Sequence, residues 1–321
     1  MTSRNQPLRS PIAEVLAGGL ETTVQDYPGR EGYLQLGLPC SGPMDRRSFQ
    51  LGNQLLGNPE SAAGLEIQFI GPTLKFWQET VIAIVGADCQ PQLNQKPVSL
   101  WSTLPVLPGD ILSFGHARLG ARTYVQFAGG LDVPIYLNSR ATFLAGGVGG
   151  LDGRKLRRGD WLFAHAPSHC SAIAHRSLSP EQRPQFSQTW EVEVLLGPHD
   201  DWLTHEDIEQ FLQVDWQVSV KSNRTGYRLE GPSFKFAYSA YSKTPENGSD
   251  PSNKIDYGCP LGAVLFCGQV PTVLMVDGPS LTGYMAPFTV IESNLWKVGQ
   301  ARPGDKLRFR RVTLTAAQTQ R

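Results

Sequence analysis

No C-x-x-C pair occurs anywhere in the chain, and the five cysteines, Cys40, Cys89, Cys170, Cys259 and Cys267, are odd in number and widely scattered. That spacing argues against a disulfide framework of the kind that staples small secreted domains, and it points to a reducing cytoplasm. An excess of either charge is missing too, since 29 basic residues face 29 acidic ones. A nucleic-acid binder needs a basic patch to neutralise phosphates, and an acidic membrane surface asks for the same, so neither partner is expected. Long apolar runs are absent. Stretches such as VIAIVGA and AVLFC have strand length and fall far short of a bilayer. The opening MTSRNQPLRSPIAEVLAGGL holds no apolar core of signal-peptide length.

Familiar catalytic signatures are also lacking. There is no G-x-x-x-x-G-K-[ST] phosphate loop, no G-x-S-x-G elbow and no H-E-x-x-H. GGVGGLDG (146–153) is rich in glycine, but no helical pattern follows to aim a dipole at phosphate, so it reads as a turn. His165, His169, Cys170 and His175 resemble metal ligands only superficially, because no second ligand pair stands at zinc spacing; no metal is expected. His199, in GPHDDW, reads as part of a turn. No Met-Lys-Met-like segment offers a lysine for biotin attachment, so any biotin would come from a partner.

What the chain does have is punctuation. With 33 glycines and 24 prolines, it breaks into short β-branched and aromatic segments: TLKFW, TVIAIV, DILSF, RTYVQFA, WEVEVLL, WQVSV, TVLMV and KLRFR. Each has strand length and strand composition. Helices are few. DRRSFQLGNQLLG predicts one, with Asp45 as its N-cap and Gly57 as its stop, and THEDIEQFL predicts another, with Thr204 and Asp207 in capping-box spacing. The class is mainly β with a few short helices.

An internal echo bears on organisation. REGY (30–33), LE (65–66), GPTLKF (71–76) and LPGDILSF (107–114) return in order as RTGY (224–227), LE (229–230), GPSFKF (231–236) and RPGDKLRF (302–309). Tyr33 to Asp110 spans about 77 residues and Tyr227 to Asp305 about 78, which argues for two related β-domains. A third partial copy, RRGDWLFA (157–164), shows that the turn alone is also a common local device. The expected domains are 12–164 and 189–315, with the polar stretch 165–188 as a linker. YSKTPENGSDPSNKIDYG (241–258) reads as a solvated loop.

The densest stretch is QDYPGREGYLQLGLPCSGPMDRRSFQLGNQLLGNP (25–59), where Gln25, Asp26, Arg30, Tyr33, Ser41, Asp45 and Asn53 crowd between glycines and prolines. Polar groups removed from water need hydrogen-bond partners. Either these satisfy one another in an elaborate loop, or they line a cleft facing a ligand or partner.

This stretch, extended to LETTVQDYPGREGYLQLGLPCSGPMDRRSFQLGNQLLGNPESAAGLEI, resembles the opening of the allophanate hydrolase subunit 2 family, the carboxyltransferase A/B region of urea carboxylase-like enzymes. That family includes component C of the bacterial 5-oxoprolinases. The resemblance continues through TYVQFAGGLDVPIYLNSRATF, GPHDDW, NRTGYRLEGP and QARPGDKLRFRRV, from about Ala17 to Val312. It implies two cyclophilin-like β-barrel domains. It also implies partners: an allophanate hydrolase subunit 1-like protein and, for 5-oxoprolinase, a lactam-utilisation-type subunit, with ATP used in the complex. The family's first motif falls on Gln25, Asp26, Arg30, Gly32, Tyr33, Ser41, Met44, Asp45, Asn53, Asn58 and Glu66. Its second falls on Ser139 and Arg140, and its third on Arg224, Gly226, Tyr227, Arg228 and Glu230. An arginine can grip a carboxylate through two hydrogen bonds and Asp45 could orient an amide N–H, while an ion pair with a nearby acid is the structural alternative for each arginine.

The chain departs from the family in one region. Where relatives have Gly-x-Ile-Gln-Val-Pro it reads GAVLFCGQVP, and where they have Thr-x-Gly-Gly-Tyr-Pro it reads SLTGYM, keeping Asp277, Gly283 and Tyr284. The first functional expectation is a subunit of an ATP-dependent 5-oxoprolinase-like hydrolase that opens the 5-oxoproline lactam to glutamate. The alternatives are a carboxyltransferase subunit of a urea carboxylase-like enzyme, with biotin on a partner, and a non-enzymatic antagonist of a kinase-inhibitor-like protein.

Overall fold

In the computed structural model, which describes residues 10–165 and 173–320, the strands sort into two units. One comprises residues up to Arg30 and Ser41–Gln185; the other comprises Glu31–Cys40 and everything from Phe186 onward. Of the stretch 165–188, residues 166–172, with His169 and Cys170, lie outside the described residues. Residues 173–185 belong to the first unit. There Thr103 donates its hydroxyl to Ile173 O and Leu178 N–H donates to Trp101 O.

The first unit holds two sheets. The five-stranded one runs Glu21–Gln25, Gly64–Gln68, Arg122–Phe127, Thr80–Gly86, Ser102–Val106, and every neighbouring pair is antiparallel. Its central strands, TVIAIVG and RTYVQF, are buried along their whole length, the first as expected of an apolar run without alternation, the second with Arg122, Thr123 and Gln126 buried as well. The six-stranded sheet centres on Ala13–Ala17, Thr73–Phe76 and Ile111–Ser113, where alternation is clear: Leu74 and Phe76 point in, Thr73 and Lys75 do not.

Helix Arg46–Leu56 packs on strands Thr80–Gly86 and Arg122–Phe127. Its ends are as the sequence predicts, with Asp45 accepting from Ser48 N–H at 2.9 Å and Gly57 at φ +67°. Gly52 in mid-helix lowers helix propensity, but contact requires it: a Cβ there would lie 2.8 Å from Gln126 Cγ and 3.0 Å from Val85 Cγ2.

The second unit is a closed seven-stranded barrel in the order Thr189–Leu196, Phe288–Val290, Ala263–Cys267, Val270–Leu274, Gly226–Glu230, Asp215–Val218, Lys306–Arg311. Lys306–Arg311 pairs in parallel with Thr189–Leu196 to close the ring. The core is aromatic. Phe211, from helix His205–Gln213, stacks on Phe288 at 4.2 Å and Phe309 at 4.5 Å, and Trp216 stacks on Phe234 at 5.5 Å. The last third of the stretch read as a solvated loop is a strand, since Asn253–Gly258 pairs with Leu281–Tyr284 as a two-stranded ribbon.

The sequence echo has a physical counterpart in three turns. Pro108-Gly109-Asp110, Arg158-Gly159-Asp160 and Pro303-Gly304-Asp305 place glycine at φ +92°, +89° and +91°. Each aspartate accepts at its carboxylate from the N–H three residues back, at 2.8, 2.7 and 2.9 Å. Each glycine N–H also donates at 2.8 Å to a carbonyl of an adjoining strand, Phe76, Val15 and Val218 respectively. By contrast GPSFKF forms no strand, unlike its counterpart GPTLKF.

Candidate functional site

Gln25, Asp26, Arg30, Ser41, Asp45 and Asn53 are all buried, as is Ser139. In the first unit they fasten loops to one another. Asp26 accepts from Ser139 Oγ and from Arg140 N–H, both at 2.6 Å, and Ser139 Oγ in turn accepts from Ala141 N–H. Gln25 accepts from Gly42 N–H and donates to Thr142 O. Arg30 donates to Ala141 O at 2.7 Å, and its guanidinium lies 5.5 Å from the centre of the Tyr136 ring.

The glycine-rich turn 146–153 belongs to this assembly: a Cβ on Gly149 would fall 2.0 Å from Ala141 O and 2.6 Å from Arg30 Nη2. Asp45 caps its helix, both carboxylate oxygens engaged by Ser48. Its N–H donates to Tyr124 Oη, which donates to Glu66; Glu66 also accepts from Met44 N–H, with Arg122 Nε at 3.7 Å. Burial first, then Glu66 and Asp45, raises the Tyr124 pKa, keeping it a neutral donor. Asn53 stands apart, donating to Glu60 O and Ala62 O. Ser41 is the exception: held at φ +56°, its buried hydroxyl finds no partner among the described residues.

The remaining predicted residues lie in the second unit, at separate places. Arg224 and Asp277 form a buried two-hydrogen-bond ion pair, at 2.8 and 3.2 Å. Tyr227 donates to Gly299 O at 3.4 Å. Arg228 is exposed on its strand, Tyr33 is half-buried in the 31–40 segment, and Tyr284 is exposed on the ribbon.

A second cluster was not predicted as a site. His199 sits between Trp202 (ring centres 5.5 Å apart) and Tyr257 (5.0 Å), and its Nδ1 accepts from Ala286 N–H at 3.1 Å. Lys254 places its ammonium 5.4 Å from the Trp202 ring and 5.9 Å from the Tyr257 ring, and Lys243 lies 5.5 Å from Trp202. Burial, reinforced by Lys254, lowers the His199 pKa to about 4. Burial also raises the Cys259 thiol to about 11 and the Tyr257 hydroxyl above its usual value, so neither ionises near neutrality. The motif GPHDDW carried a signal for His199, but nothing local marked Lys254 or Tyr257. No grouping of three or more metal-ligating side chains occurs among the described residues.

The profile of the family described as carboxyltransferase domain, subdomain A and B, matches residues 36–311. The chain belongs to that family. Members similar to it include the urea amidolyase of Lachancea kluyveri, 41% identical over 95% of this chain but only 17% of that protein. Component C of the 5-oxoprolinase of Escherichia coli (strain K12) is 30% identical over 95% of this chain and 93% of that one. The crystal structure of the K. lactis urea amidolyase superposes with a TM-score of 0.91 at 42% identity, covering 98% of this chain and 19% of that chain. The chain thus spans under a fifth of the urea amidolyases it matches. No described helix is long and apolar enough to cross a membrane.

Proposed function

We propose that this chain is the carboxyltransferase component of a multi-component, ATP-driven enzyme acting on a small amide, and that a urea-like acceptor is favoured. The observation that carries the choice is graded likeness: 41% identity to a urea amidolyase against 30% to a 5-oxoprolinase component, over the same share of this chain. Opening of the 5-oxoproline lactam is the second reading, favoured by the match across 93% of that component's length.

Carboxyl transfer calls for biotin, carried by a partner. The second unit has a pocket of about 510 Å³, lined by Leu34, Gln35, Gly37, Gly258, Cys259, Ser280 and Leu281. Its largely apolar lining fits an uncharged bicyclic ring, with Gln35 and Ser280 as polar side chains to orient it, and its neutral thiol does not compete as a nucleophile. When bound, biotin supplies an activated carboxyl group; these residues would hold the ring and exclude water. ATP enters through the partner components.

The test is reconstitution with an allophanate hydrolase subunit 1-like protein and a biotinylated, ATP-using partner. Labelled bicarbonate fixed on urea, blocked by avidin and absent without this chain, is the expected result. ATP-dependent glutamate formation from 5-oxoproline, with a lactam-utilisation-type subunit added, would move the assignment to the second reading. A stable complex with neither activity would overturn both and leave a binding role.

A further inference from the structure

His199 is fixed on three sides. Trp202 and Tyr257 meet its ring edge-to-face, and the Ala286 N–H donates to Nδ1. A backbone N–H can only donate, so Nδ1 carries the lone pair and the ring proton sits on Nε2. That Nε2–H finds no acceptor among the described residues, yet it is not among the sealed, unpartnered polar atoms of the protein. An oriented donor is therefore presented at the edge of an aromatic box.

Lys254 supplies charge beside it. The ammonium lies against Trp202 and Tyr257, close enough to depress the His199 pKa, and pairs with no carboxylate among the described residues. Asp250 is engaged by Ser252 N–H and Oγ. Asp200 and Asp201 act on His199 but less than burial and Lys254 do. Lys243, on the same indole, donates to the carbonyls of Asp250 and Asn253 and so adds a second positive charge without neutralising the first.

We infer that His199 and Lys254 form a binding site for a small planar carboxylate or carbamate, one oxygen taken by Nε2–H and the other by the ammonium. Flat aromatic walls suit a planar ligand, and a donor flanked by positive charge suits an anion over a neutral amide. The site stands on its own geometry. In the carboxyl-transfer reading, on which this further step rests, it would hold the carboxylate of the newly carboxylated amide.

The test is binding by the full chain alone, so its failure is separable from failure of turnover. Imidazole nitrogen–proton resonances, with His199 assigned through His199→Gln, are followed while sodium acetate, its neutral isostere acetamide, or sodium chloride at matched ionic strength is added. Saturable movement of the His199 Nε2–H signal with acetate is expected. In Lys254→Ala the midpoint should weaken by about tenfold, the scale of one charge-assisted hydrogen bond, and Lys254→Arg should restore most of it. Equal response to acetamide, reproduction of the shift by chloride, no saturation with acetate, or an unchanged midpoint in Lys254→Ala would each overturn the proposal.

Discussion

Arg224 donates twice to Asp277 where both side chains are nearly closed to water. Removing one partner strands the other charge, so Arg224→Ala should cost about 3–5 kcal/mol in urea unfolding, while Arg224→Met with Asp277→Leu should recover most of it. A substrate-gripping arginine would show the reverse pattern, with little stability lost. His199 gives a pH signature. Its folded pKa, about 4, lies below the ordinary 6.5, so its contribution is complete above 6.5 and is lost as pH falls through 4. The melting temperature should drop across that window, less steeply in His199→Gln. Ser41 combines a left-handed backbone with an orphaned hydroxyl, so Ser41→Gly should stabilise the chain by up to about 1 kcal/mol, read as a shift in unfolding midpoint. At this scale the sequence showed which residues were polar and crowded, but not where their partners lay. Asp26 closes on Ser139 and Arg140, and no local pattern announces a partner more than a hundred residues away.

Strands, caps and turns were far more legible, because their rules act within a few residues. The Asp45 and Thr204 caps and the Gly57 stop are all formed, the Thr204–Asp207 capping box included. The three glycine–aspartate turns share one geometry, and at Gly109, Gly159 and Gly304 an added Cβ would meet nothing within 4 Å. Alanine at any of them should therefore cost only the backbone term, about 1–2 kcal/mol, and nearly the same at all three. Unequal losses in three parallel melts would show that the turns differ in more than their surroundings. The ribbon strand Asn253–Gly258 was read as loop because its pairing partner, Leu281–Tyr284, lies beyond an intervening hairpin, and because Gly248 and Pro251 mimic loop composition. The GPSFKF echo failed as a strand for the converse reason: its residues match a strand pattern, but Phe236 turns at φ +62°.

At the scale of the whole molecule, equal numbers of basic and acidic residues leave little mutual repulsion near neutral pH. Precipitation by a neutral polymer should need least polymer close to pH 7 and more on either side. The barrel has a consequence for the order of synthesis. Its first strand, Thr189–Leu196, is sealed by Lys306–Arg311, so that Glu193 meets Arg310, 117 residues later in the chain. On the ribosome the early strand waits with a bare edge until the late one emerges, and that edge is open to any other strand in reach. How long that edge stays exposed is thus set by topology rather than by composition.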